Sequence, residues 1–123
     1  MMSVATDAAA LPLNHDPSWM RSYAVTWHEP SRPVYAGKLE LHPEHLWFEG
    51  VAVQGRLLMQ KLMYRDIAAW RVGRGSSDRV EGAPALVIER SDGMPVSIAS
   101  VSGLGALAEL AERLEPKLGT IRA

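Results

Sequence analysis

The amino-acid sequence predicts a mainly β domain of seven antiparallel strands that is closed by one C-terminal α-helix. Between Tyr23 and Val101, apolar residues fall mainly at every second position, which is the period of strands with one buried face. After Ser102 the period changes to steps of three and four, which is typical of an amphipathic helix. A chain of 123 residues has room for one domain with a single core.

The first three strands show regular alternation and are separated by turn residues. Tyr23 to His28 alternates until two nearby prolines remove backbone donors and interrupt the ladder. Gly37 to His42 and Leu46 to Glu49 alternate on either side of Pro43, so they are expected to form a hairpin. The residues expected to face inward are Leu39, Leu41, Leu46 and Phe48, and those expected to face outward are Trp47 and Glu49.

The remaining four strands are less uniform. They are expected at Leu57 to Tyr64, Ile67 to Val72, Ala85 to Arg90 and Pro95 to Val101. The first of them departs from strict alternation, because Leu58, Met59 and Met63 cannot all face one core. The last two form a hairpin, since Asp92-Gly93 is a strong turn signal.

One helix and two terminal segments complete the predicted organisation. The apolar stripe of the helix comprises Leu104, Leu107, Ala108, Ala111 and Leu114, widened by Leu110. Ser102 is expected to cap its start, and Pro116 with Gly119 to end it. We expect a domain over residues 19–116, a flexible leader over 1–18 and a tail over 117–123.

Composition excludes several classes of function. Thirteen Lys and Arg against fourteen Asp and Glu give a net charge of −1, so binding to nucleic acid through the whole surface is not expected. The absence of cysteine removes disulfide scaffolds, thiolate metal sites and thiol catalysis. Residues 1–13 contain no Lys or Arg and no signal-peptide core, so we expect a cytoplasmic protein.

Three sequence segments between Tyr23 and Glu115 resemble the bacterial pleckstrin-homology-like (PH-like) and GRAM-like domains. They run from Gly37 to Leu41 and on to Leu46-Trp47-Phe48, from Met63 to Trp70, and from Leu86 to Gly93. The resemblance implies a PH-like barrel of seven antiparallel strands in two bent sheets, capped by the helix. It also implies a binding module for lipid head groups, peptides or proteins rather than an enzyme, with no catalytic residue and no cofactor.

Basic residues give the first candidate site. Residues 51–80 carry six bases and two acids, so a local patch could bind phosphate, a weakly held anionic lipid or an acidic partner surface. The ligand-binding candidates are Arg56, Lys61, Arg65, Arg71 and Arg74. The bases that hold phosphoinositides in PH domains have few counterparts, since the matching region offers only Arg32 and Lys38. The alternative is that these charged side chains are simply solvated.

A second candidate is an interface for another protein or for a second copy of the chain. Trp47 is out of phase with its inward neighbours, and the irregular fourth strand must turn some apolar residues outward. The predicted interface residues are Trp47, Leu58, Met59 and Met63, and a homo-oligomer is one expected outcome. The alternative is a bulge that turns both faces of the strand inward at a barrel corner.

Two other functions stay open. His42, His45 and Glu49 loosely resemble the first metal motif of cupins, which would make the protein a small metal-dependent barrel enzyme. Two residues separate the histidines where the cupin motif has one, and no histidine follows His45, so the second cupin motif lacks its ligand. A hollow barrel would instead be a ligand carrier, although the bulky inward residues indicate a packed interior.

Overall fold

The computed structural model describes residues 21–73, 75 and 78–118, so the predicted leader over 1–18 lies outside the described residues. The strands are β1 Arg21–His28, β2 Tyr35–Leu41, β3 His45–Ala52, β4 Leu57–Met63, β5 Ile67–Gly73, β6 Ala85–Arg90 and β7 Pro95–Ser100. The helix α1 spans Leu104–Leu118, and a short 3-10 helix, Tyr64–Asp66, joins β4 to β5. In the part of the chain that is described, the one long helix is too short and too polar to cross a membrane.

All seven strands join one antiparallel sheet that curls into a half-barrel, in the order β4-β3-β2-β1-β7-β6-β5. Strand β1 links the two halves, because Val25 lies opposite Gly37 of β2 and Trp27 lies opposite Ile98 of β7. Strands β4 and β5 are therefore the two ends of the described sheet. The prediction of seven antiparallel strands followed by one C-terminal helix is confirmed.

Strands β2 and β3 approach each other closely at a pair of glycines. Gly37 lies opposite Gly50, and a Cβ added to Gly37 would overlap the carbonyl oxygen of Glu49. A Cβ on Gly50 would lie 2.6 Å from both the Ala36 carbonyl oxygen and the Phe48 ring. Glycine is required here because the backbone and the Phe48 ring fill the space that a side chain would need.

The core fills the concave side of the sheet. Trp27 and Phe48 stack with ring centroids 4.9 Å apart, and Leu107, Leu110 and Leu114 of α1 are fully buried with them. The helix packs against β6, β7 and the 3-10 helix. The predicted inward residues of β2 and β3 are confirmed as buried: Leu39, Leu41, Leu46 and Phe48.

The predicted turn at Asp92-Gly93 is confirmed, and the turn at Gly55 shares its geometry. The N–H of Gly93 donates to the Arg90 carbonyl at 2.8 Å, and the N–H of Gly55 donates to the Ala52 carbonyl at 2.8 Å. The two glycines have φ of +87° and +88°, a left-handed conformation that strains residues with a side chain. These turns fix the registers of the β6–β7 and β3–β4 hairpins.

The start of α1 differs from the prediction. Leu104 is 52% exposed and Ala108 is also exposed, because the buried stripe is centred on Leu110. Gly103 directly precedes the helix, and its carbonyl accepts the first helical hydrogen bond, from Leu107 at 3.2 Å. The expectation that Ser102 caps the helix is therefore wrong, and its own N–H donates instead to Ser100 Oγ at 3.0 Å.

The end of α1 also differs. The helix continues two residues beyond Pro116, so the expected boundary at residue 116 falls inside it. Contacts with the rest of the domain hold this last turn in place: Leu118 packs against the core, and Lys117 Nζ lies 5.7 Å from the centre of the Tyr64 ring. Residues 119–123 lie outside the described residues.

Candidate interaction surface

Strand β4 alternates regularly, contrary to the expected irregularity. Its register with β3 is continuous from His45 opposite Met63 to Val51 opposite Leu57, with no bulge. The residues that face the inner side are Leu58, Gln60 and Leu62, and those that face outward are Leu57, Met59, Lys61 and Met63. The pattern looks irregular in the sequence because most outward positions carry apolar residues, such as Met59, while the polar residue Gln60 occupies an inward position.

The outward positions of β3 and β4 form an exposed apolar surface. Val51 and Leu57 lie opposite each other and are 45% and 69% exposed, and Met59 beside them is 63% exposed. Val53 extends fully into solvent from the connecting turn. A shallow groove runs between these strands. We call this surface the β3–β4 face, and it comprises Trp47, Val51, Val53, Leu57, Met59 and Met63.

Three of the four predicted interface residues lie on this face. Trp47, Met59 and Met63 do so, and the Trp47 indole Nε1 donates to Glu49 Oε1 at 2.8 Å. Leu58 does not, because the opposite side of β4 packs against the core. Leu58 is therefore not part of the β3–β4 face.

Sequence reasoning missed Val51, Val53 and Leu57. Val51 was predictable from the sequence. If the strand continues past Gly50, Val51 falls on the same outward side as Trp47 and Glu49. For Leu57 the signal was hidden, because its outward position depends on the phase of β4.

The backbone edge of β4 adds hydrogen-bonding groups to the apolar surface. Ala52 N–H donates to the Arg56 carbonyl at 2.9 Å, and Tyr64 N–H donates to the Glu44 carbonyl at 3.1 Å. Because bonded pairs alternate along an antiparallel ladder, the even-numbered residues of β4 bond to β3. The backbone groups of its odd-numbered residues therefore point away from the sheet, where no described strand pairs with them.

The predicted basic residues are not brought together. Arg56 precedes β4, Lys61 lies in its middle, and Arg65 lies in the 3-10 helix after it, so the seven extended residues of β4 separate the outer two by more than about 20 Å. Arg71 instead forms a two-point ion pair with Asp78, at 3.1 and 3.2 Å, and the hydrogen bond raises the pKa of Arg71. The fifth candidate, Arg74, lies outside the described residues.

The two histidines of the predicted metal site lie close together, but Glu49 is distant from them. The rings of His42 and His45 stack with centroids 4.6 Å apart, and His42 Nε2 lies 2.9 Å from Glu40 Oε1. Glu49 lies four residues along β3, roughly 13 Å away, beside Met59 of β4. Among the residues described, no three metal-ligating side chains form a cluster.

The pKa of His45 differs from that of a free imidazole. Burial lowers the pKa of His45, and the charges of His42 and Lys61 lower it further against an opposing contribution from Glu44. Tyr64 lies nearby, and its hydroxyl donates to the His42 carbonyl at 2.8 Å. This end of the β2–β3 hairpin is therefore tied to the 3-10 helix.

Comparison with known proteins identifies a similar fold. No family model and no curated protein matches the chain. Among solved structures, it is similar to the crystal structure of the C-terminal domain of an unknown protein from Leishmania infantum. The two are 15% identical with a TM-score of 0.56, over 76% of this chain and 80% of that one. At this identity the similarity concerns the fold alone.

Proposed function

We propose that this chain is a non-enzymatic PH-like binding or assembly module that acts through protein contacts on the β3–β4 face. One observation carries the proposal: Val51, Leu57 and Met59 are exposed side by side on the two outermost strands of one half of the sheet. Exposed apolar surface beside an open strand edge is costly in water and is typical of an interface.

The PH-like assignment is part of the same proposal. It is supported by seven antiparallel strands that precede one C-terminal helix, and by the position of β1 between the two halves of the sheet. A strand that pairs with β2 on one side and β7 on the other can belong to two bent sheets at once. The helix then covers the open end of the barrel, with Leu110 at the centre of its buried stripe.

The distribution of side chains favours a binding surface over a carrier or a lipid site. The interior is filled by large side chains, including Trp27, Phe48 and Trp70. The bases that would attract an anionic membrane are spread along the length of β4. Apolar residues, in contrast, are contiguous on the β3–β4 face, which favours a protein partner.

Photocrosslinking in the source cell tests the proposal. A benzoylphenylalanine at Leu57 or Met59 should give adducts with protein on illumination, whereas the same group at the exposed helix residue Glu112 should not. Absence of protein adducts at both strand positions, or the same adducts at Glu112, would overturn it. Pelleting with phosphatidylserine vesicles that is lost in Arg56→Gln but retained in Met59→Lys would replace it with a lipid function.

A further inference from the structure

We infer that the free edge of β4, which borders the β3–β4 face, pairs antiparallel with β4 of a second copy of this chain about a two-fold axis at Gln60. The inference rests on the proposed function, because it names the partner that binds at the border of the same face. A symmetric pairing of this kind uses one surface twice, so each chain supplies the same groups to the other.

The direction of the free backbone groups limits how two β4 strands can pair. Only odd-numbered residues of β4 have N–H and C=O groups that point outward, so they must face one another across the interface. An axis at Gln60 places Leu57 opposite the partner's Met63 and Met59 opposite the partner's Lys61. All four odd-numbered residues are then paired, with two backbone hydrogen bonds in each pair.

Two neighbouring registers also place the odd-numbered residues of the two β4 strands opposite one another, but they are less favourable. An axis at Lys61 would set two ammonium groups directly opposite each other, which is destabilising in a strand pair. An axis at Met59 would place Met63 opposite the partner's Gly55, which lies in the turn before β4. The axis at Gln60 is the one that pairs the whole strand without opposing like charges.

Charge complementarity supports this register. In the single chain, Lys61 has no carboxylate partner among the described residues. In the pair, the outer face reads Glu49, Met59 and then the partner's Lys61 across three adjacent strands. Strands lie about 4.8 Å apart, so roughly 10 Å separates the two Cβ atoms, which extended lysine and glutamate side chains span across Met59.

On the inner side of the paired strands, Gln60 can form a hydrogen bond with the partner's Gln60. This side chain is half-buried at an inward position between Leu58 and Leu62, where an apolar residue would otherwise be expected. At the axis it would face the partner's Gln60 in a pair without backbone bonds, with Cα atoms about 4.5 Å apart. The two amides can then exchange hydrogen bonds, while Leu58 contacts the partner's Leu62.

Disulfide trapping tests the register directly, since the natural chain contains no cysteine. Under mild oxidation Gln60→Cys should form a covalent dimer, because the predicted Cα separation fits a disulfide. Val53→Cys is the matched control: it is fully exposed, yet the axis places it far from its counterpart. A Gln60→Cys variant that stays monomeric, or crosslinks no faster than Val53→Cys, would overturn the inference.

A charge exchange gives a second test that needs no cysteine. Sedimentation equilibrium should show at least about a tenfold weaker self-association for Lys61→Glu and for Glu49→Lys, and recovery in the double variant. Single variants that associate as tightly as the parent would contradict the register. If the chain stays monomeric while the photocrosslinker at Met59 captures another protein, this inference fails and the proposed function stands. Absence of any adduct overturns both.

Discussion

Arg90 Nη2 donates a hydrogen bond to Glu29 Oε1 at 2.8 Å and joins the loop after β1 to the β6–β7 hairpin. Only 13% and 15% of these two side chains are exposed. The second carboxylate oxygen of Glu29 accepts a bond from Trp27 Nε1 at 3.0 Å, and Arg90 Nε donates to the Met94 carbonyl at 3.1 Å. Burial alone would raise the pKa of Glu29, but the bonds from Arg90 and Trp27 and the charges of Arg90 and Arg32 lower it.

This ion pair predicts a loss of stability in acid. Because the folded state lowers the pKa of Glu29, its ionised form stabilises the fold above the ordinary value of 4.5, and the contribution is lost as the pH falls through the lower folded value. At pH 7, Glu29→Gln should reduce the free energy of unfolding by about 1–3 kcal/mol. Urea denaturation should show this gap closing below pH 4.5. A gap that is constant with pH, or equally large for the exposed control Glu112→Gln, would contradict this.

The histidine stack predicts a second pH effect in a separate range. Since burial lowers the pKa of His45 below 6.5, the unfolded chain binds the proton more readily than the folded chain. The free energy of unfolding should therefore fall as the pH drops through 6.5, and His45→Gln should remove this contribution. An NMR titration of the His45 ring should give a midpoint below 6.5. A midpoint at or above that value would show that the stack does not disfavour the charged ring.

The glycine pair in β2 and β3 predicts a steric effect. Gly37→Ala should reduce the free energy of unfolding by about 1–3 kcal/mol, because the new methyl group meets the Glu49 carbonyl. Gly105→Ala is the control, since its Cβ meets nothing within 4 Å and alanine favours a helix. That variant should gain about 0.5–1 kcal/mol in chemical denaturation. Equal effects of the two substitutions would mean that the close approach of β2 and β3 relaxes without cost.

The helix offers two leucines in contrasting environments. Leu110 is fully buried and Leu104 is 52% exposed on the same helix. Leu110→Ala should cost about 2–5 kcal/mol through lost burial and the cavity left behind. Leu104→Ala should cost well under 1 kcal/mol, since little apolar surface returns to water. Thermal unfolding that shifts equally in both variants would contradict the placement of α1.

Much of the fold follows from local sequence patterns, namely alternating apolar residues and turn residues. Alternation in β2 and β3 puts Leu39 and Phe48 inward, and Asp92-Gly93 sets the β6–β7 hairpin, so both were predictable from the sequence. The ends of α1 were not, because they depend on distant groups. Leu118 packs against the core beyond Pro116, and neither the contact nor its energy is visible in local periodicity.

The candidate surface was predictable only in part. Trp47 followed from phase, and Met59 and Met63 from the expectation that β4 turns some apolar residues outward. Leu58 was placed on the wrong side because the apolar pattern of β4 does not reveal its phase. Convergence of the bases could not be judged before the strand order was known, since it depends on distances across the sheet. In the single chain, Gln60 is a polar residue at an inward position of β4, where an apolar residue would be expected. A second β4 strand beside it would give its amide group a hydrogen-bonding partner.

Amide hydrogen exchange along β4 tests most directly whether this edge pairs with another copy. The N–H groups of Leu58 and Gln60 bond to β3 and should be protected at every concentration. Those of Met59 and Lys61 point outward, so NMR-detected exchange should be fast in dilute solution and should slow at least about tenfold as the concentration reaches roughly 1 mM. Exchange at Met59 and Lys61 that stays fast and independent of concentration would contradict the pairing of β4 with β4.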